Sequence, residues 1–391
     1  MRRRGWNPDV FAPMRAGDGW LVRVKPPEQR MTAAMVGDLA EMAARWGNGV
    51  IEITTRASLQ LRGIDEAAFT PLAIALQEAG LAAADPALEQ RRNILVSPLA
   101  GDDPTITGDP LALGRALAAG LADPAWAGLS QKFSAIVDGG GVLPLSCVRA
   151  DIRLRTEARL VTITALDGTM IRADAKEAAG AALALAARTE IEARPPAPPP
   201  SPPPVGFIAY PGHRRGAFAL VPPFGDLRPR MLTALAALSE RFGDGWLRLF
   251  PGRVFLIAGV DEENAAPLAA AAAAAGFLTD RSAPSLGLIA CIGAPECAGG
   301  DSPSRADAAA LASLLSPNVP RPLHISGCAK GCAHVGPAPV TLIGVGRGAD
   351  GSGLYDLAFA ASADHVGLQA DHRLLSIAEA AALLNHRFRS P

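Results

Sequence analysis

Cysteine, aromatic residues and net charge are all scarce in this chain. Of 391 residues only five are Cys and two are Tyr, and the formal net charge is −1. So even a balance supplies no global basic field, and nucleic acid is not an expected partner. Long apolar runs are missing as well. The most apolar stretch, AAPLAAAAAAAGF at 265–277, is too short and too rich in alanine for a span of about 20 strongly apolar residues. No membrane partner is expected. The opening MRRRGWNPDV is basic but no hydrophobic region follows it, so a cytoplasmic location is the expectation. There, paired cysteines read as metal or redox ligands rather than disulfides. A glycine-rich dinucleotide fingerprint is also lacking. GVGRGADGSG (344–353) has the glycines but reads as a hairpin loop between strands, so an external electron donor, a reductase or ferredoxin, is expected.

What the chain does have is apolar mass and internal order. Apolar residues make up 49% and charged ones 19%, enough for sizeable cores in two or three domains. RPPAPPPSPPP (194–204) is a proline-rich linker that nearly bisects the chain. The two sides are related without a gap from Pro26/Pro222 to Gly80/Gly276, an offset of 222 − 26 = 196 residues. Met35 meets Met231, Leu39 meets Leu235, Gly47 meets Gly243 and Asp65 meets Asp261. This is an internal duplication.

Each copy predicts β-α-β-β-α. In the first, GWLVRV alternates as a strand, and Val36, Leu39, Met42, Ala43 and Trp46 mark one face of a helix ending at Gly47. VIEIT and SLQLRG give two more strands and 66–79 a second helix; the second copy offers helices over 228–242 and 263–275. So small a unit leaves sheet edges open, and two copies paired in one domain would cover them. A larger α+β stretch follows each copy, opening on NILVSPLAG or LGLIACIGA, with helices at 110–122 and 304–315. A pseudo-twofold arrangement follows, with a cleft at its axis as the natural ligand site.

Four of the five cysteines form two tight pairs, Cys291 with Cys297 and Cys328 with Cys332. The C-x5-C and C-x3-C spacings differ from the C-x2-C knuckles common at zinc. Four thiolates on glycine-flanked loops suit a cubane iron–sulfur cluster, with zinc and unligated thiols as the other readings. Cys147, in LPLSCVRADI, reads as a small buried hydrophobe. His365, His372 and His386 match no dense metal motif, and SIAEAAALL reads as a capped closing helix.

CIGAPEC with GCAKGCAH resembles the cluster signature of the sirohaem-dependent sulfite and nitrite reductase superfamily. TTRASLQLRGI (54–64), RRNILVSPLAG (91–101) and LSQKF (129–133) resemble its arginine strand, its Arg-Asn strand entry and its lysine segment, so the likeness covers nearly the whole chain. It implies an α+β fold in a duplicated sulfite/nitrite-reductase-like architecture. Two ferredoxin-like half-units, 1–81 and 205–276, would pair into one domain. Two larger α+β domains, 82–193 and 277–391, would bind substrate carboxylates and carry the cluster respectively. Cys291, Cys297, Cys328 and Cys332 become ligands of a [4Fe-4S] cluster, with Cys332 facing the tetrapyrrole.

The cleft of that superfamily holds a ring bearing carboxylate arms, which the planar fork of arginine binds bidentately. Arg56, Arg62, Arg91, Arg92 and Lys132 are the candidates here. Arg56 aligns with Gly252 and Arg62 with Ala258 in the duplication, so the cations belong to one copy only. The reductases carry two lysines where this chain has Lys132 and Ser134, and a histidine where it has Arg62.

Those departures, and the wording of GCAKGCAH, resemble instead the precorrin-3B synthase branch, of aerobic cobalamin biosynthesis. That implies an O2-dependent monooxygenase hydroxylating precorrin-3A with closure of a γ-lactone, the tetrapyrrole being substrate. It also implies a mononuclear non-haem iron, for which the residues give no ligand set. His324 and His334 read as hydrogen-bonding neighbours of the cluster and Lys330 as a solvated lysine. The alternative is a sirohaem-dependent assimilatory sulfite or nitrite reductase, with sirohaem as a resident cofactor.

Overall fold

The computed structural model describes residues 8–130, 132–146, 148–189, 202–334, 336–364 and 369–389. Cys147, His365 and residues 194–201 of the proline-rich linker lie outside the described residues. Two compact units are present. One comprises Leu21–Thr279 with the stretch up to Met14; the other comprises Arg15–Trp20 and the chain from Asp280 onward.

Within the first unit the duplication is visible element by element. Helices Ala33–Trp46 and Pro229–Phe242 stand 196 residues apart, as do Phe69–Glu78 and Ala265–Ala274. The apolar positions read from sequence are the buried ones: Val36, Leu39, Met42 and Ala43 turn inward, as do Leu232, Leu235 and Phe242. Trp46 is only partly covered. Thr32 caps the first helix by accepting from the Met35 amide, whereas Pro229 opens its counterpart.

The open edges are closed by exchange. Asp226–Leu227, from the second copy, pairs antiparallel with Ile51–Ile53 of the first. Arg30–Thr32, from the first copy, pairs with Trp246–Phe250 of the second. Each sheet thus ends on a short strand lent by the other half, which satisfies edge groups that neither half could cover alone.

The two larger modules share one topology. In the first unit the sheet order is 170–174, 160–165, 152–156, 135–138, 94–96; in the second unit it is 372–375, 353–361, 338–347, 323–326, 288–290. The last three strands of each are mutually parallel and the outer two antiparallel. Helices Pro110–Gly120 and Ser304–Leu314 match in length and in place. Residues 94–120 and 288–314 correspond without a gap, by 288 − 94 = 194. The core of the earlier module gathers Leu113, Leu117, Phe133, Val137, Leu154 and Ile163. Residues 344–353 form the tip of the antiparallel hairpin 338–361, as expected. Ser376 and Glu379 make the reciprocal cap of helix Ile377–Arg387. Among the described residues no helix is long and apolar enough to cross a membrane.

Candidate functional site

In the second unit the four cysteines sit on the loops that leave two adjacent parallel strands, 288–290 and 323–326. Cys291 follows the first strand directly and its amide donates to the Ile325 carbonyl. The first loop folds on itself: Cys297 N–H donates to Gly293 O at 2.8 Å and Gly300 N–H to Cys297 O at 2.9 Å. Asp301 N–H donates to Gly327 O at 2.7 Å and ties the loops together. Gly293 has φ +72°, and a Cβ there would meet the Ser304 nitrogen at 2.5 Å, so no other residue fits.

The thiols act on one another. Burial pushes the Cys328 thiol up; the Lys330 amide, donating to its sulfur, opposes this, and negative charge at Cys291 and Cys297 adds to it. The Cys332 thiol is raised by burial and then by charge at Cys291, Cys328 and Cys297. All four are free thiols. Four thiolates at such close quarters are stable only around positive charge, and binding it must displace their protons.

Among the described residues no three His, Cys, Asp or Glu side chains converge on a point that would hold a single metal ion. Four thiolates on two glycine-flanked loops are soft donors of the kind an iron–sulfur cluster takes, one to each iron. His324 is fully buried and stands edge-on to His334, with 5.4 Å between ring centroids.

The earlier module has the same loops without the sulfur. Ser97 occupies the place of Cys291 and Asp103 that of Cys297. Ser97 Oγ accepts from Gly139 N at 2.8 Å, as Cys291 Sγ accepts from Gly327 N at 3.1 Å. Asp103 Oδ2 accepts from Val142 N at 2.7 Å. One copy closes this cradle with its own side chains; the other lines it with thiols.

The predicted cations lie in the first unit and divide into three groups. Arg56 is exposed and donates to the Arg149 carbonyl at 2.9 Å. Beside it stands Arg23, whose guanidinium burial, then the positive charge of Arg56, holds down to about 10. The row continues through Lys25, lowered by burial to about 8 although Glu89 lies 3.6 Å away, and ends at Arg92, which pairs with Glu89 at 2.8 Å. Arg91 and Lys132 form the second group, near Trp126: Arg91 donates to its carbonyl at 3.1 Å, and Lys132 lines a cavity of about 690 Å³ with Trp126, Leu129 and Phe133.

Arg62 stands apart from both. It is 4% exposed and donates to Glu52 Oε2 at 3.0 Å. Alternation holds at this point: Arg62 lies on the face of Gln60 and Glu52, opposite Ile51, Leu59 and Leu61, and the φ +65° of Gly63 comes only after it.

Residues 12–79 and 213–275 match the family model of the nitrite/sulfite reductase ferredoxin-like half domain. A precorrin-3B synthase from Sinorhizobium sp is 32% identical over 386 residues, covering 88% of this chain and 82% of that protein. The chain belongs to the precorrin-3B synthase family. A ferredoxin–nitrite reductase from Leptolyngbya laminosa is 31% identical over 143 residues, 35% of this chain and 28% of that enzyme. The NirA protein of Mycobacterium tuberculosis superposes with a TM-score of 0.67 at 17% identity, over 93% of this chain and 79% of that one, and shares the fold.

In this member of the precorrin-3B synthase family, then, the cations named from sequence stand beside two that sequence reasoning did not name, Arg23 and Lys25. The signal was present. Arg23 and Lys25 share one face of an alternating strand, and the duplication sets Ala219 and Val221 against them.

Proposed function

We propose that the protein is a precorrin-3B synthase: an O2-dependent monooxygenase that hydroxylates precorrin-3A while an acetate arm closes a γ-lactone, in aerobic cobalamin biosynthesis. The observation that carries this reading is the likeness to the Sinorhizobium enzyme across most of both chains. Ser134 supports it. The reductases carry a second lysine at this position, but here a neutral side chain, 6% exposed, is locked to Asp151 Oδ2 through both its amide (2.8 Å) and its hydroxyl (2.9 Å). A proton-delivering pair of lysines is not available, which weighs against multi-proton reduction of sulfite or nitrite.

In this reading Arg56 and Arg23 grip ring carboxylates, and their mutual repulsion makes an arriving anion welcome. Arg92, held by Glu89, receives a further arm, and Lys25 stands buried behind it against the same carboxylate. Arg91 and Lys132 receive further arms near Trp126. Cys291, Cys297, Cys328 and Cys332 hold a [4Fe-4S] cluster, which supplies single electrons drawn from an external donor. Arg62 keeps its strand in place.

The test is aerobic turnover of precorrin-3A with a chemical or ferredoxin-type reductant and labelled O2. One labelled oxygen atom in a lactone product supports the reading. Purification with sirohaem bands, together with reduction of sulfite or nitrite, would replace it with the reductase alternative.

A further inference from the structure

Ser304 begins helix Ser304–Leu314 and is fully buried. Its Oγ lies 3.1 Å from Cys291 Sγ and donates to the Cys291 carbonyl at 3.0 Å. The duplication supplies an internal control. By the 194-residue offset the same place in the earlier module is Pro110, which opens helix Pro110–Gly120. Proline suits the first turn of a helix, since its missing N–H is one that no carbonyl of the helix would use. The module whose loops carry Ser97 and Asp103 keeps that favoured residue. The module whose loops carry thiols has a hydroxyl instead, aimed at one of them.

Protonation decides which way that hydroxyl points. While Cys291 is a thiol, its S–H can donate to Ser304 Oγ and the serine proton stays on the carbonyl. A ligating thiolate has no proton and only accepts. Two donors then stand within reach of the sulfur, the Gly327 amide at 3.1 Å and the Ser304 hydroxyl. Hydrogen bonds to the sulfurs of an iron–sulfur centre favour its more negative, reduced form and so raise its potential.

We propose that Ser304 is a positioning residue for the redox centre: its hydroxyl turns onto the Cys291 sulfur when that sulfur binds iron, and sets the centre's reduction potential. This rests on the reading of the four cysteines as cluster ligands. Electrons from the external donor would enter a centre made easier to reduce by one hydroxyl, a feature confined to the thiol-bearing module.

The experiment is an anaerobic redox titration followed by electron paramagnetic resonance, on the full chain and on Ser304→Ala and Ser304→Thr, with iron and sulfide assayed in each. Ser304→Ala is expected to keep wild-type iron and sulfide and to shift the oxidised–reduced equilibrium about tenfold toward the oxidised form, which for one electron is a fall of about 59 mV. Ser304→Thr, which keeps a hydroxyl, should stay at the wild-type midpoint. An unchanged midpoint in Ser304→Ala, or an equal fall in both variants, would overturn the proposal. So would loss of the cluster from Ser304→Ala alone, since the hydroxyl would then hold the centre rather than tune it. Wild-type protein without iron and sulfide would bring down the reading beneath, and the assay shows that separately.

Discussion

Arg62 and Glu52 form an ion pair 3.0 Å across between neighbouring strands, with side-chain exposures of 5% and 14%. Removing one member takes this charge partner from the other inside a largely buried site, and breaking a buried pair typically costs about 3–5 kcal/mol. Arg62→Met should therefore lower the thermal midpoint while leaving affinity for the tetrapyrrole unchanged in whatever folded fraction remains. Calorimetry and a binding titration on the same sample separate the two. A stable variant with lost affinity would return Arg62 to the binding set.

Arg56 is the reverse case. Its guanidinium is exposed and donates to the Arg149 carbonyl at 2.9 Å, so truncation opens no cavity in a core. Arg56→Ala is expected to keep wild-type stability and iron content but to weaken tetrapyrrole binding about tenfold, the scale of one charge-assisted hydrogen bond. Because Arg23 and Arg56 repel each other, the double variant should lose less than the two single losses combined. Equal affinity for the ring in wild type and Arg56→Ala would remove this residue from the site.

Cys332 is the exposed residue of the thiol set, although its sulfur is itself partly desolvated. Cys332→Ser should abolish the visible cluster absorbance and oxygen-dependent turnover together, while the far-ultraviolet circular dichroism stays native. A variant that retains both the absorbance and full activity would show that three sulfurs suffice.

Much of this was legible before any coordinates. Helix limits were legible to within a few residues: the duplication placed 263–275 where Ala265–Ala274 forms, and an alanine-rich run placed 110–122 where Pro110–Gly120 forms. The exchanged strands were not legible. Arg30–Thr32 and Asp226–Leu227 are three and two residues long, too short for alternation to register, and their pairing is set by which edges the other half leaves open. The burial of Arg62 was not legible, because alternation sets it on the face of Gln60 and says nothing of Glu52, the partner that meets it there. Arg23 and Lys25 were overlooked for a different reason. The comparison that singled out Arg56 against Gly252 applies equally to them and was confined to the arginine strand.

Lys25 gives the sharpest pH dependence. It is 8% exposed, its ammonium donates to the Glu89 carbonyl, and burial, opposed by the Glu89 carboxylate and reinforced by Arg92, takes it from 10.5 to about 8. Between about pH 8 and 10.5 the unfolded chain therefore holds a proton on Lys25 that the folded chain has released. Stability must rise with pH across that window, and the full destabilising effect of the buried charge is present below it. Integrated, the change is on the order of 3 kcal/mol. In Lys25→Met this contribution disappears, while Glu89 keeps Arg92 at 2.8 Å and the Ala83 amide at 2.9 Å. Urea unfolding of both proteins at pH 7.5, 9 and 10.5 should show the wild type gaining on the variant as pH climbs, whatever other groups do to both curves. Parallel curves would mean that Lys25 titrates in the folded protein as it does in water, and that the buried middle of the cationic row is more open to solvent than its packing indicates.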